Sequence, residues 1–125
     1  RTPMSIVFID IDRFKAINDT LGHETGDRVL RDVAGFLIHH IREADYVFRW
    51  GGDEFLVLIT CTEAEALKRA SELQLAFAAS PEVAELPAGV ALSVGAVEVP
   101  ADIRDVMPLI QAADERMYAN KKRRR

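Results

Sequence analysis

The chain has 125 residues, 49% of them hydrophobic and 29% charged, with a formal net charge of −4, the profile of one ordinary globular domain over residues 1–125. Its single cysteine, Cys61, excludes a disulfide framework and a cysteine-rich zinc site. No apolar run reaches the ~20 residues that cross a bilayer and none reads as a signal peptide, so a cytoplasmic domain without membrane contact is expected.

Five of the 16 basic residues crowd into Lys121, Lys122, Arg123, Arg124 and Arg125, leaving 11 against 20 acidic residues. An acidic body argues against a nucleic-acid groove, which needs a basic face. The opening at Arg1 just before a strand, and the stop inside the basic run, lead us to expect a segment of a longer polypeptide. Regulatory domains, and any membrane anchor, would then lie outside these residues.

Ser5 to Ile11 is an apolar run of the length of a strand buried on both faces. Phe14 to Leu21 suits a short helix stopped by Gly22. A longer helix is expected from about Glu24 to Ile41, where Leu30, Val33, Ala34, Leu37, Ile38 and Ile41 recur at helical spacing. Tyr46 to Trp50 and Glu54 to Ile59 form two strands around a tight Gly51-Gly52 turn. Thr62 and Glu65 make a capping box for a helix to Ser80, whose buried stripe is Ala66, Ala70, Leu73 and Phe77. Pro81, Pro87 and Gly89 mark a loop, and Val90 to Val99 is a strand stopped by Pro100. A closing helix starts near Asp105 as N-cap, tolerates Pro108 in its first turn, and turns Leu109, Ile110, Ala113 and Met117 inward. The order β-α-β-β-α-β plus a helix predicts an α+β fold. Its core is ferredoxin-like or polymerase-palm-like, a mostly antiparallel sheet flanked by helices.

Two acidic clusters lie at strand ends: Asp10 with Asp12, and Asp53 with Glu54 after the glycine pair. If the first and third strands are neighbours, Asp10 and Asp53 converge. Carboxylates that meet repel unless a cation neutralises them, and hard oxygen ligands imply Mg²⁺ or Mn²⁺. The glycine pair permits φ > 0 and lets a bulky substrate approach the backbone at Gly52. The competing reading is a plain hairpin with solvated acids at its tip.

These motifs resemble a known family. Gly51 to Phe55 reads GGDEF, and Phe8 to Asp27, FIDIDRFKAINDTLGHETGD, is similar to the metal- and nucleotide-binding segment of the GGDEF diguanylate cyclases. SVGAV, Ser93 to Val97, resembles their late strand, and ADERMYANK, Ala113 to Lys121, their closing helix. The resemblance implies a nucleotidyl-cyclase-like fold and condensation of two GTP into cyclic di-GMP with loss of two pyrophosphates, in a homodimer that brings two half-sites together. It implies two Mg²⁺ or Mn²⁺ ions per half-site on Asp10, the Ile11 carbonyl and Asp53, with Asp53 or Glu54 as the base. Asn18 and Asp27 would read guanine, since an aspartate accepts from its N1–H and N2–H₂ edge. Leu30 would line the base pocket, and Lys15, Lys121 and Arg125 would contact the triphosphate, Lys15 also standing with the catalytic groups. Backbone N–H groups near Arg13 and Phe14 would add phosphate contacts. By the same resemblance His23 would lie near the substrate, in a more structural than catalytic role.

Arg42 and Asp45 form an RxxD pair resembling the inhibitory site at which the family binds its product. Arg13 stands where many members carry an aromatic, and the family's leading DxLTGLxNR segment is not found. The alternative within the same fold is a non-catalytic module that binds GTP or cyclic di-GMP as a regulatory ligand. A palm-type nucleotidyl transferase acting on nucleic acid is disfavoured by the acidic body, and an ATP-accepting cyclase by the presence of Asp27.

Overall fold

The computed structural model describes residues 2–87 and 89–123. Strand β1 (Ser5–Ile11) leads through helices α1 (Phe14–Leu21) and α2 (His23–His40) to the hairpin β2 (Tyr46–Arg49) and β3 (Glu54–Ile59). Helix α3 (Glu63–Ala78), a single helical turn α4 (Pro81–Ala84), strand β4 (Leu92–Glu98) and helix α5 (Met107–Arg123) complete it. The strands lie in the order β2-β3-β1-β4, and every pairing is antiparallel.

Alternation along the strands builds a core on each face of the sheet. Val7, Ile9 and Ile11 of β1, with Phe55, Val57 and Ile59 of β3 and Leu92, Val94 and Ala96 of β4, face α1, α2 and α3. Ile6, Phe8, Leu56 and Val97 face the other way, onto Ile110, Ala113 and Met117 of α5. This explains why the β1 run reads as continuously apolar. One helix, ~10 Å across, covers about two strands spaced ~4.8 Å apart. Accordingly α5 packs on β4 and β1, and Tyr46 and Phe48 of the edge strand β2 stay exposed, their rings stacked 6.4 Å apart.

Helix α5 approaches β4 closely because Gly95 has no side chain. A Cβ there would collide with the backbone of Ala113 and Met117. Two side chains then tie helix to strand: Arg116 Nη1 donates to the Ala96 carbonyl at 2.7 Å and Asn120 Nδ2 to the Val94 carbonyl at 3.1 Å.

Most local expectations hold, with informative differences. Thr62 caps α3, its Oγ1 accepting from the Glu65 N–H at 3.3 Å, and Asp105 caps α5 by accepting from the Met107 N–H at 3.0 Å. The stripe on α2 centres on Val29, Val33, Phe36 and Leu37, so Ile38 points to solvent and Leu30 is only partly buried. β2 ends at Arg49 and β4 begins at Leu92. The expected loop after α3 opens instead with α4. Ser80 Oγ accepts from the Val83 N–H at 3.4 Å and Pro81 occupies the first helical position, where its missing N–H costs nothing; Ser-Pro was the overlooked signal. Among the described residues no helix is long and apolar enough to cross a membrane.

Candidate active site

Pairing of β1 with its two neighbours assembles the acids. Asp10 lies opposite Glu54 on β3 and opposite Ser93 on β4, so all three share the face covered by α5. One residue further, the Ile11 N–H donates to the Asp53 carbonyl at 3.1 Å, which ties the turn to the end of β1. The Ile11 side chain is buried in the core, leaving its backbone as the only group it can offer.

The β2–β3 turn is closed by the N–H groups of Trp50 and Gly51, which donate to the Glu54 carbonyl at 2.8 and 3.3 Å. Arg49, which the sequence did not single out, donates from Nε to the Gly51 carbonyl at 3.1 Å and from Nη2 to the Gly52 carbonyl at 2.8 Å. Of the two reasons expected for the glycine pair, positive φ is absent and space over the backbone at Gly52 is present. Positive φ is found at Gly22 and Gly89 but at neither Gly51 nor Gly52. A Cβ on Gly51 would strike the Glu54 carboxylate, whereas one on Gly52 would meet nothing within 4 Å. Gly51 therefore makes room for Glu54, and Gly52 leaves open space above the backbone.

The Asp10 and Asp53 carboxylates come within hydrogen-bonding reach of each other. Burial foremost, then the charge of Asp53 and that contact, push Asp10 up to about 7, against the pull of Lys121. Burial, with Asp53 and Asp114 nearby, also raises Glu54. Asp10 Oδ1 is buried and has no hydrogen-bond partner. Two facing carboxylates with an orphaned oxygen need a shared proton or a cation, and the donor set fits a hard divalent ion. Among the described residues no group of three or more His, Cys, Asp or Glu side chains is arranged for a metal. Beyond Asp10 and Asp53, further ligands would have to be the Ile11 carbonyl, water and substrate oxygens, as suits Mg²⁺.

The expected nucleotide residues surround this point unequally. Arg13 adopts a left-handed conformation (φ 66°) at the start of α1, where no side chain caps the first N–H groups. Phe14 is buried in the core, so it can contribute only its N–H, while Lys15 is exposed. The Asn18 amide packs against Gly26 of α2, where a Cβ would overlap its Oδ1. This places Asn18 beside the turn that carries exposed Asp27. Asp27 borders an open depression of about 410 Å³ with Glu24, Thr25, Arg28 and Arg31. His23 begins α2, exposed, just after Gly22. Lys121 sits at 3.3 Å from Asp12 Oδ1 and 3.8 Å from Asp10 Oδ2. Arg125 lies outside the described residues.

Arg42 and Asp45 are apart from the acids, at the end of α2. The Asp45 side chain is fully buried; its Oδ2 accepts from the Arg42 N–H at 3.0 Å and from Arg69 Nη2 at 2.7 Å. Burial would raise its pKa, but the Arg69 bond, the Arg42 N–H and both guanidinium charges hold it below the usual carboxylate value. Arg42 itself is exposed, with Nε 3.6 Å from Asp45 Oδ2. Arg69, a long-range partner, had no local signal in the sequence.

A family model described as "Diguanylate cyclase, GGDEF domain" matches residues 1–125. The chain belongs to the GGDEF domain family. This GGDEF domain is 42% identical to the diguanylate cyclase DosC of Escherichia coli K12, over 99% of this chain and 27% of that protein. It is 36% identical to the diguanylate cyclase TpbB of Pseudomonas aeruginosa, over 100% of this chain and 29% of that one. The chain thus spans little more than a quarter of the length of these relatives. Its fold matches the GGDEF domain of DgcB from Caulobacter crescentus, solved in complex with c-di-GMP, at a TM-score of 0.82 and 26% identity, covering 97% of this chain and 73% of that one. The active GGEEF domain of a diguanylate cyclase from Vibrio cholerae matches at a TM-score of 0.82 and 30% identity, covering 98% and 79%.

Proposed function

We propose that this GGDEF domain is a diguanylate cyclase: two copies, each holding one GTP, join the nucleotides into cyclic di-GMP. The observation that carries the reading is the meeting of Asp10 and Asp53 around an orphaned oxygen beside the open Gly52 backbone. In each half of the reaction the 3′-hydroxyl oxygen of one GTP bonds to the α-phosphorus of the other. The α–β anhydride bond breaks, and pyrophosphate leaves with the bonding electrons. Such transfers are mostly positioning and charge stabilisation.

Asp10, the Ile11 carbonyl and Asp53 would hold divalent metal, which when bound supplies charge neutralisation at the phosphates and acidifies the attacking hydroxyl. Asp53 or Glu54 takes the hydroxyl proton. Burial, then the charges of Asp53 and Asp114, raise the Glu54 carboxyl above its ordinary value, the direction that makes a carboxylate a stronger base. The uncapped N–H groups at the start of α1 and the ammonium groups of Lys15 and Lys121 hold the phosphates, and Asn18 and Asp27 read the guanine edge. Because each copy brings one nucleotide, turnover requires a two-fold arrangement that sets the two Gly-Gly turns face to face. Exposed Arg42, fixed through its backbone to buried Asp45, binds product phosphate or stacks on its guanine, which feeds back on activity.

The test is incubation of the protein with GTP and Mg²⁺ and identification of the products by mass. Cyclic di-GMP and pyrophosphate are expected from the parent, neither from Asp53→Ala, and little from ATP. Retention of native circular dichroism by a fully active Asp53→Ala variant overturns the assignment; so does binding of GTP without turnover by the parent, which is the outcome for a regulatory module.

A further inference from the structure

We infer that Asp12, held by the buried hydroxyl of Ser93, is a positioning residue that sets the Lys121 ammonium for the triphosphate of the nucleotide. The inference rests on the reading above that Lys121 contacts phosphate, and it assigns a task to two residues that reading leaves idle.

A lysine is a point charge on a flexible stem, and fixing that stem costs rotamer freedom. Near the end of a helix such a group grips an anion well only if something else orients it. Here the helix is positioned first: Gly95 admits the α5 backbone, and Arg116 and Asn120 bind the β4 carbonyls. The ammonium is positioned next. It lies 3.3 Å from Asp12 Oδ1 but 3.8 Å from Asp10 Oδ2, so Asp12 is the nearer partner.

Asp12 is itself fixed from two sides. Its N–H donates to the Ala91 carbonyl at 2.8 Å, and the same Oδ1 that meets Lys121 accepts the Ser93 hydroxyl. Ser93 is 1% exposed and sits on β4 opposite Asp10, so its hydroxyl is as rigid as the sheet. The chain of contacts from β4 through Ser93 and Asp12 reaches Lys121 at shorter range than Asp10, whose Oδ2 also faces the ammonium at 3.8 Å. A second carboxylate beside a triphosphate repels it, so the benefit of Asp12 is geometric rather than a matter of net charge.

Ser93→Ala is therefore the cleanest perturbation, because it loosens Asp12 while leaving every charge in place. The experiment is a double-mutant cycle in the full chain. Binding of a non-hydrolysable GTP analogue with Mg²⁺ is measured by calorimetry for the parent, Ser93→Ala, Lys121→Ala and the double variant, with thermal melting in parallel. Lys121→Ala is expected to weaken binding by about tenfold and Ser93→Ala by about threefold, the double variant being no weaker than Lys121→Ala alone. Ser93→Thr, which returns the hydroxyl on a strand that accepts branched side chains, restores the affinity. A serine that matters only to folding would lower the melting temperature and weaken binding equally in both backgrounds. That additive result, or no effect of Ser93→Ala on binding, overturns the inference and leaves the phosphate role of Lys121 standing. No effect of Lys121→Ala overturns both.

Discussion

Replacing Gly95 by alanine tests the packing that holds the closing helix over the site. The added Cβ would lie 2.9 Å from Met117 Cα and nearer still to the Ala113 carbonyl and the Met117 N–H, all of them backbone atoms inside a helix. No rotamer change relieves such a clash, so α5 has to move away from β4. Overpacking of this kind costs ~1–3 kcal/mol. The shift also stretches the Arg116–Ala96 and Asn120–Val94 bonds, each worth ~0.5–1.5 kcal/mol. A loss of about 3 kcal/mol follows, and with an m-value of about 1.5 kcal/mol per M for urea the unfolding midpoint falls by about 2 M. Nucleotide affinity falls as well, because Lys121 travels with the helix. Urea titration followed by circular dichroism measures the first effect and calorimetry the second. A midpoint within about 0.3 M of the parent would refute the reasoning, since it would mean that the helix and strand have slack the geometry denies.

The raised pKa of Asp10 makes stability depend on pH with a definite sign. Folded protein holds this proton more tightly than unfolded protein, so the stabilisation is complete below the ordinary aspartate value and is lost as pH rises through about 7. Without metal, Asp10→Asn should melt higher than the parent near pH 8, and the gap should close toward pH 4; parallel melting curves across that window contradict the assignment. Arg69→Met leaves buried Asp45 without its closest cation and should cost ~3 kcal/mol, part of which Asp45→Asn recovers in the double variant; chemical unfolding of the four proteins decides it. Arg42, being exposed, should tolerate Arg42→Ala with little change in melting temperature while inhibition by added cyclic di-GMP weakens several-fold in initial-rate assays. Specific activity should rise with enzyme concentration if two copies must meet, and a flat series over the monomer–dimer range would argue against that requirement.

Much of this was legible in the chain because it depends on neighbours in sequence. β1, α1 and β3 fall where apolar runs, Gly22 and the glycine pair place them, and the Thr62 and Asp105 caps are local bonds over two or three residues. The acidic pairs at strand ends and the GGDEF turn were visible for the same reason, and they were enough to reach the family. What the chain could not display is which distant atoms touch. The Asp45–Arg69 pair spans 24 residues and the Ser93–Asp12 bond 81, and only the strand order β2-β3-β1-β4 and the docking of α5 bring such partners together. The same holds for the glycines. Sequence suggested special backbone angles at Gly51 and Gly52, whereas tertiary contacts assign Gly51 to the Glu54 carboxylate and Gly95 to a helix backbone. Even the raised pKa of Asp10 belongs to the fold, because burial and a second carboxylate exist only once β1 and β3 have paired.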